Sequence, residues 1–444
     1  VRVLVIWPPQ IPSYFNAGHH TPLYQTGGYL RTLPFVDTVV TEEAGLLNMN
    51  WKAVGDLLFQ GDYDVIAIMN DIDAVDGLER FIHYARQLSP RSRLVTFGRL
   101  SSMLPGFFGS LDLDAVVTSG DPEAGVAEYV RAVADGGPGA GLPGVVVRVG
   151  ERWSPESGPG AMLPARDWVL PDVTEIPYVA YDQLYAQDAH KFCGIPLRRE
   201  LVVPIARGCP IGCDYCDVHQ IAGLKERRLS VQAALDYIDA SRKAIPFEYV
   251  AFYAPTFTLN KAWVRELAEA LLRRDDSLPW KCSTTVHHLD EDLVSLMGRS
   301  GCIRISVGLE TLEPAGHGTL PRAKQIHEEQ FLELGRWCGA AGIELNAFVI
   351  VGLPGTTVDG VRRTREVVRE AGARFRPTVY TPFEQMRPTM RAEEIARFNR
   401  QMLPADSVRP GVDASDLYRF VFGVDDRLTT VHERIPRQTR DLVS

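Results

Sequence analysis

Three cysteines stand within eight residues, in the stretch Arg207-Gly208-Cys209-Pro210-Ile211-Gly212-Cys213-Asp214-Tyr215-Cys216. Cys-x3-Cys-x2-Cys is a metal-binding spacing, because a short loop rich in glycine and proline can turn all three thiolates inward. A [4Fe-4S] cluster ordinarily takes four thiolates, one per iron. Three leave one iron without a protein ligand, and an open coordination position is what a reactive centre needs and a closed structural site lacks. A Cys3His zinc site is the alternative, with His219 as the nearby fourth ligand. Three ordinary core cysteines are the plainer alternative, and a Gly/Pro-rich loop suits them poorly. The other cysteines, Cys193, Cys282, Cys302 and Cys338, show no such spacing and are expected to be small core residues.

The elements around this loop must hold it in place. It follows an apolar run at 201–206, and further candidate strands lie at 249–253, 280–286, 303–309, 343–351 and 378–382. Amphipathic helical patterns fill the gaps at 230–243, 261–274, 290–300, 325–339 and 358–371. Strands alternating with helices predict a parallel, partial (β/α)6 barrel of the TIM type, whose functional loops follow the strand C-termini. Upstream, the stretches at 3–6, 64–69, 93–98 and 114–118 are short, mainly apolar runs, as strands buried on both faces are. With helical patterns at 51–59, 77–88 and 123–134, they predict a Rossmann-like, doubly wound α/β domain over residues 1–135. Residues 136–195 read as a Gly- and Pro-rich linker with a hairpin at 145–153. The barrel is expected over 196–385 and a small helical cap over 386–444, with a helix near 391–402.

Two barrel strands alternate in a way that bears on ligands. Arg304, Ser306, Gly308 and Glu310 share one face of theirs, and Glu344 and Asn346 share one face of the next. Polar side chains on an inward face describe a lumen that holds a ligand, whereas a solvated rim is the plainer alternative. The formal net charge of −9 and the lack of a basic block argue against a nucleic-acid binder. They suit a neutral or cationic small molecule. No apolar run reaches the roughly 18–20 residues of a membrane span, so a cytoplasmic protein is expected.

The cysteine spacing, the aromatic Tyr215 before the third thiol and the position after a first barrel strand resemble the radical S-adenosylmethionine (SAM) enzymes. The resemblance covers about residues 195–385 and includes Val307-Gly308-Leu309-Glu310 and Val351-Gly352-Leu353-Pro354-Gly355 at later strand ends. It implies that the open iron chelates SAM and that an electron, from a flavodoxin- or ferredoxin-type donor, cleaves SAM to a 5′-deoxyadenosyl radical. On this resemblance Cys209, Cys213 and Cys216 bind the cluster and Tyr215 meets adenine. Ser306 and Glu310 meet the ribose or methionine part, while Gly352 and Leu353 allow close backbone approach, with Tyr380 nearby. One departure stands out. Many relatives carry an acid after the second strand to receive the SAM ammonium group, but here Ala254 precedes Pro255 and Thr256, leaving Thr256 or backbone carbonyls to serve.

The front domain, with its Trp7-Pro8-Pro9 opening, resembles the cobalamin-binding subgroup of the family. Gly98-Arg99-Leu100 and Ser119-Gly120-Asp121-Pro122-Glu123 partly match the turns of that subgroup, and the Asp-x-His-x-x-Gly motif of other cobalamin proteins is absent. The domain either binds cobalamin or keeps the fold as a vestige. The build is most like the radical SAM diol dehydratases of aminoglycoside biosynthesis that act on paromamine. That implies hydrogen abstraction from an amino sugar or pseudodisaccharide, loss of water from a vicinal diol, and a general acid or base at the strand ends. His287, His288, Glu344, Tyr380 and Glu384 are the candidates, with Glu344, Glu384 and Asn346 also placed to hold substrate. His288-Leu289-Asp290 can equally cap the following helix. The alternative is cobalamin-dependent C-methylation in secondary metabolism. An iron-sulfur electron carrier does not need an open iron inside a ligand-lined barrel, and a zinc hydrolase lacks a convincing ligand set.

Overall fold

The computed structural model describes residues 1–9, 20–45, 50–75, 77–137, 140–187, 194–195 and 198–398. Cys193 and most of the expected cap lie outside the described residues, as do residues 399–402 of the helix expected near 391–402.

The first sheet holds β1 (Arg2–Ile6), β2 (Thr38–Glu42), β3 (Val65–Asn70), β4 (Arg93–Gly98), β5 (Ala115–Val117), β6 (Val145–Val149) and β7 (Arg152–Trp153) in the order β2-β1-β3-β4-β5-β6-β7. The first five strands are parallel, and β6 and β7 close the edge as an antiparallel hairpin. Helices α1 (Thr21–Arg31), α2 (Trp51–Gly61), α3 (Leu78–Leu88), α4 (Arg99–Met103) and α5 (Pro122–Ala134) connect them. Alternate strand residues serve opposite faces, which is why these strands read as mainly apolar runs. Val3, Val5, Ala67 and Phe97 pack under α1 and α5, and Leu4, Ile6, Ile66 and Ile68 pack under α2 and α3. This is the expected doubly wound sheet.

After the linker and α6 (Tyr178–Gln187), the chain runs through β8 (Glu200–Pro204) and the short β9 (Ala206–Arg207) into the cysteine loop. Helix α7 (Val218–Ala222) and β10 (Arg227–Arg228), antiparallel to β9, complete this excursion. There follow α8 (Val231–Ala244), β11 (Tyr249–Tyr253), α9 (Lys261–Leu272), β12 (Trp280–Thr285) and α10 (Glu291–Arg299). The series ends with β13 (Cys302–Glu310), α11 (Glu328–Ala340), β14 (Glu344–Val351), α12 (Val358–Glu370) and β15 (Arg374–Val379), with α13 (Ala392–Ile395) beyond. Strands β8 and β11 to β15 form one six-stranded sheet, parallel throughout. Capping side chains fix where its helices begin: Ser230, Asn260, Asp290 and Thr357 each accept from a backbone N–H three residues on, at 2.9–3.1 Å. Asp290 thus takes the capping role that the His288-Leu289-Asp290 stretch offered.

The last strand sits earlier than the expected 378–382. Arg374 and Arg376 made the segment look polar, but strand pairing with β14 is satisfied by the backbone, and Phe375 fills the apolar face. The helix-facing side of the barrel and the α1/α5 face of the front domain share one contiguous apolar core, joined through Val173, Ile176, Tyr178 and Tyr181 of the linker. Met386 and Ile395, after the barrel, return to the other face of the front domain.

Gly98 ends β4 with φ 137°, and a Cβ there would sit 2.2 Å from the Asn70 carbonyl oxygen. Gly98→Ala is expected to destabilise the chain by about 1–3 kcal/mol, read as a lowered midpoint in denaturant titration; an unchanged midpoint would show that the β3 and β4 ends are not closely packed.

Candidate active site at the facing ends of two sheets

The cysteine loop leaves the C-terminal end of the barrel and meets the C-terminal end of the front sheet. Gly208 and Gly212 take positive φ, 83° and 63°, which lets the backbone turn sharply twice. Cys209 N donates to the Gly223 carbonyl at 3.0 Å and Cys216 N to the Cys213 carbonyl at 3.0 Å, closing the loop on itself. Cys213 is buried, and Cys209 and Cys216 are partly exposed. Burial pushes the Cys213 thiol up, against the opposing influence of Tyr215 and Lys324.

Around Cys213 the structure gathers several of the residues expected from sequence. The Tyr215 hydroxyl is buried beside Glu310 and Cys213 without a well-formed hydrogen bond, and burial followed by the Glu310 charge raises its pKa. Glu310 has φ 60°, so its carboxylate folds back over the strand end, where Lys324 Nζ reaches it at 3.1 Å. Gly308 makes room for this pair, because a Cβ there would lie 2.4 Å from Glu310 Oε1 and 2.5 Å from Lys324 Nζ. Burial works against the Lys324 ammonium, but the Glu310 carboxylate leads the groups that outweigh it and hold its pKa above the ordinary lysine value. Tyr215 and Tyr380 flank a buried apolar cluster of Leu320, Ile350 and Leu353. Thr256 is buried with its hydroxyl 3.8 Å from Cys209 Sγ. Asn346 donates to Ser306 Oγ at 3.4 Å on the neighbouring strand, and its Oδ1 is buried without a partner.

Other expected residues stand apart. Glu344 begins β14, so it lies at the end of the barrel away from the cysteine loop, about 23 Å down an eight-residue strand. There it is half-buried and ion-paired with Arg304 at 2.5 Å and Arg374 at 3.7 Å, which corrects its assignment as a general base or substrate ligand. Glu384 and His287 are exposed. His288 is partly buried after β12, its Nδ1 without a partner, and burial with the charges of Lys261, His287 and Lys324 holds its pKa below the ordinary value.

Sequence reasoning missed Lys324, which ends a 3-10 stretch (Arg322–Lys324) with no periodic signal, and it missed Tyr253. Tyr253 ends β11, stays 45% exposed in the gap between the domains, and has Asp217, Arg99, Cys216 and Asp71 as neighbours. It also missed the junction itself. Arg99 of α4 pairs with Asp71 at 3.2 Å and with Asp217, the residue after Cys216. Asp121, 2% exposed at the start of α5, receives Arg227 at 2.5 Å and 2.9 Å and Arg207 at 3.1 Å. Arg207 also reaches Glu123 at 2.7 Å.

These residues fit the groups expected here. Among the described residues no three His, Cys, Asp or Glu side chains converge on a single metal ion, and thiolates that bind three different irons of one cluster need not converge. The Tyr215, Leu353 and Tyr380 cluster suits the flat face of an adenine, and the unpartnered Asn346 Oδ1 suits a polar ligand. In the front domain, Thr21 Oγ1, Gln25 Nε2 and Thr26 Oγ1 of α1 are buried and unpartnered, polar demand that an amide-rich ligand such as cobalamin could meet.

Residues 203–368 match the radical SAM superfamily. The barrel is therefore a radical SAM domain, for which a [4Fe-4S] cluster and SAM are the cofactors. Among curated proteins, an uncharacterised methyltransferase of Pyrococcus horikoshii is 26% identical over 292 residues, which cover 66% of this chain and 60% of the relative. Cytidylyl-2-hydroxyethylphosphonate methyltransferase of Streptomyces wedmorensis is 25% identical over 175 residues, 38% of this chain. The chain thus spans 60% and 32% of the lengths of these relatives. Among solved structures, the radical SAM methyltransferase TsrM of Kitasatospora setae, with cobalamin and a [4Fe-4S] cluster bound, superposes with a TM-score of 0.69 at 17% identity. That superposition covers 95% of this chain and 91% of TsrM. The cobalamin-dependent radical enzyme OxsB gives a TM-score of 0.61 at 13% identity, over 95% of this chain and 58% of its own. At these identities the likeness concerns the fold. No helix among the described residues is long and apolar enough to cross a membrane.

Cys213→Ala is expected to abolish cluster loading and SAM cleavage in anaerobically reconstituted protein, read as iron content and nucleoside products. Glu344→Ala should instead cost about 3–5 kcal/mol of stability, by leaving Arg304 buried without its partner, while the cluster still loads. A variant at Cys213 that kept both cluster and cleavage would overturn the site.

Proposed function

We propose that this protein is a cobalamin-dependent radical SAM methyltransferase acting on a small organic molecule held in the gap between the two sheets. The observation that carries this is the arrangement of the whole chain: the C-terminal edges of a doubly wound sheet and of the radical SAM barrel face each other, with Tyr253 exposed between them. The likeness to TsrM over nearly all of both chains supports it, as do two methyltransferases among the curated relatives. SAM and the cluster supply the methyl group and the one-electron chemistry, and cobalamin, when bound, supplies a methyl carrier.

The geometry supports the following roles for the protein. Cys209, Cys213 and Cys216 hold the cluster, and Tyr215, Leu353 and Tyr380 offer the apolar wall for adenine. The Lys324–Glu310 pair fixes the end of β13 beside Cys213. His288, kept below the ordinary histidine pKa, is neutral at pH 7 and so able to accept a proton that the substrate gives up. The diol dehydration expected from the sequence is set aside in favour of the methyl-transfer alternative. Of its candidate carboxylates, Glu344 is locked in ion pairs at the wrong end of the barrel and Glu384 is exposed.

Purified without oxygen and reconstituted with cluster, the protein should bind cobalamin and, given methyl-labelled SAM and reductant, form S-adenosylhomocysteine and a labelled product only when cobalamin is present. Amino-sugar pseudodisaccharides belong in the first substrate panel. Loss of water from such a substrate without cobalamin, accompanied by 5′-deoxyadenosine alone, would restore the dehydratase.

A further inference from the structure

The cysteine loop is weakly held by its own chain. Between β9 and α7 it has no regular structure, it contains two positive-φ glycines, and its backbone bonds are the two that involve Cys209 and Cys216 together with a handful of turns. Segments of this kind are the first to open in a folded protein. What brackets the loop comes from the other domain.

Upstream, Arg207 stands two residues before Cys209 and pairs with Asp121 and Glu123 of the front domain. Its cross-strand neighbour Arg227 makes a two-pronged contact with the same Asp121. Trp168 lies against both guanidinium groups, 4.6 Å from that of Arg207 and 5.8 Å from that of Arg227. Downstream, Asp217 follows Cys216 directly and pairs with Arg99, whose guanidinium also holds Asp71 and lies 5.5 Å from the Phe383 ring. Asp121, Glu123 and Asp217 are all buried, so these contacts are shielded from water and ions, unlike surface pairs. We propose that the front domain acts as a clamp on the cluster loop, with Arg99 and Asp121 as positioning residues for a cluster their own domain does not bind. Asp71 and Arg99 follow the C-terminal ends of β3 and β4, the edge at which doubly wound sheets take ligands, so a ligand seated there acts on the same clamp. The inference rests on the radical SAM domain and its cluster, and is independent of which reaction the cluster serves.

The test uses the full chain with reconstituted cluster and reads the cluster itself. In Arg99→Gln and in Asp121→Asn, iron should be lost to a chelator roughly tenfold faster than in the parent, as expected when a buried pair loses one member. The electron paramagnetic resonance signal of the reduced cluster should broaden and respond less to SAM. Arg99→Lys should recover part of both effects. Arg86→Gln, which removes a front-domain pair to Asp114 at 2.9 Å away from the loop, controls for general loss of stability and should leave the cluster readouts at parent values. If Asp121→Asn does not fold, Asp217→Asn breaks the Arg99 bridge from the barrel side, and the Arg99→Gln/Asp217→Asn double variant should lose iron no faster than the worse single one. Parent-like chelation and spectra in Arg99→Gln, or additive effects in the double variant, would overturn the clamp. A failure of methyl transfer with these cluster effects intact would count against the proposed reaction and leave the clamp standing.

Discussion

A carboxylate taken out of water costs several kcal/mol unless its partners repay it in full, and the junction of this molecule is organised around one such group. Asp121 accepts from two nitrogens of Arg227, from Arg207 and from the backbone N–H of Leu163. Those donors belong to the barrel and to the linker, while Asp121 opens a front-domain helix. Satisfying it therefore requires three segments to meet at one point, and that point lies two residues from the first cluster cysteine. The facing of the two sheets, the path of the linker and the placement of the loop are consequences of this requirement.

The opposite end of the barrel is closed by a comparable set. Lys281 pairs with Glu200 at 2.5 Å, Tyr249 donates to the same carboxylate at 2.5 Å, and Arg304 pairs with Glu344. Inward-facing side chains at the strand N-termini thus form a charged, satisfied floor. Going up the lumen, Ser306 and Asn346 give way to Glu310, Lys324 and the thiols. The polar inward face is real along its whole length, but its lower half is structural and its upper half is available for chemistry. Depth along the strand separates the two, and depth does not show in a pattern that repeats every second residue.

This explains which features were legible in the sequence. Strand and helix periodicity located most of both sheets, because burial on two faces and the αβ alternation leave a local imprint, but it missed the partly exposed edge strand β2 and helix α1. The cysteine motif was legible because all its members lie in one short loop. Glu344 was misjudged because its partners, Arg304 and Arg374, come from neighbouring strands and cancel its charge. Lys324, Tyr253 and the Arg99–Asp217 bridge were invisible for a related reason. Each matters through a neighbour more than ten residues away, and no spacing rule links them. Thr256 falls beside the loop and Ser306 within the lumen, and the missing acid at Ala254 gave no hint of what would surround Cys209.

The buried arginines carry one more consequence, for how such a chain can be taken apart. A barrel excised from this protein, or fused to another front domain, would present Arg207 and Arg227 without their acidic counterparts, beside a loop that must fold around iron. Domain exchange within this architecture is therefore constrained to travel with a set of charges: Asp121, Glu123 and Arg99 on one side, Arg207, Arg227 and Asp217 on the other. The seam is a lock with a fixed key, and chimaeras that ignore it should fail at assembly before their chemistry can be asked about.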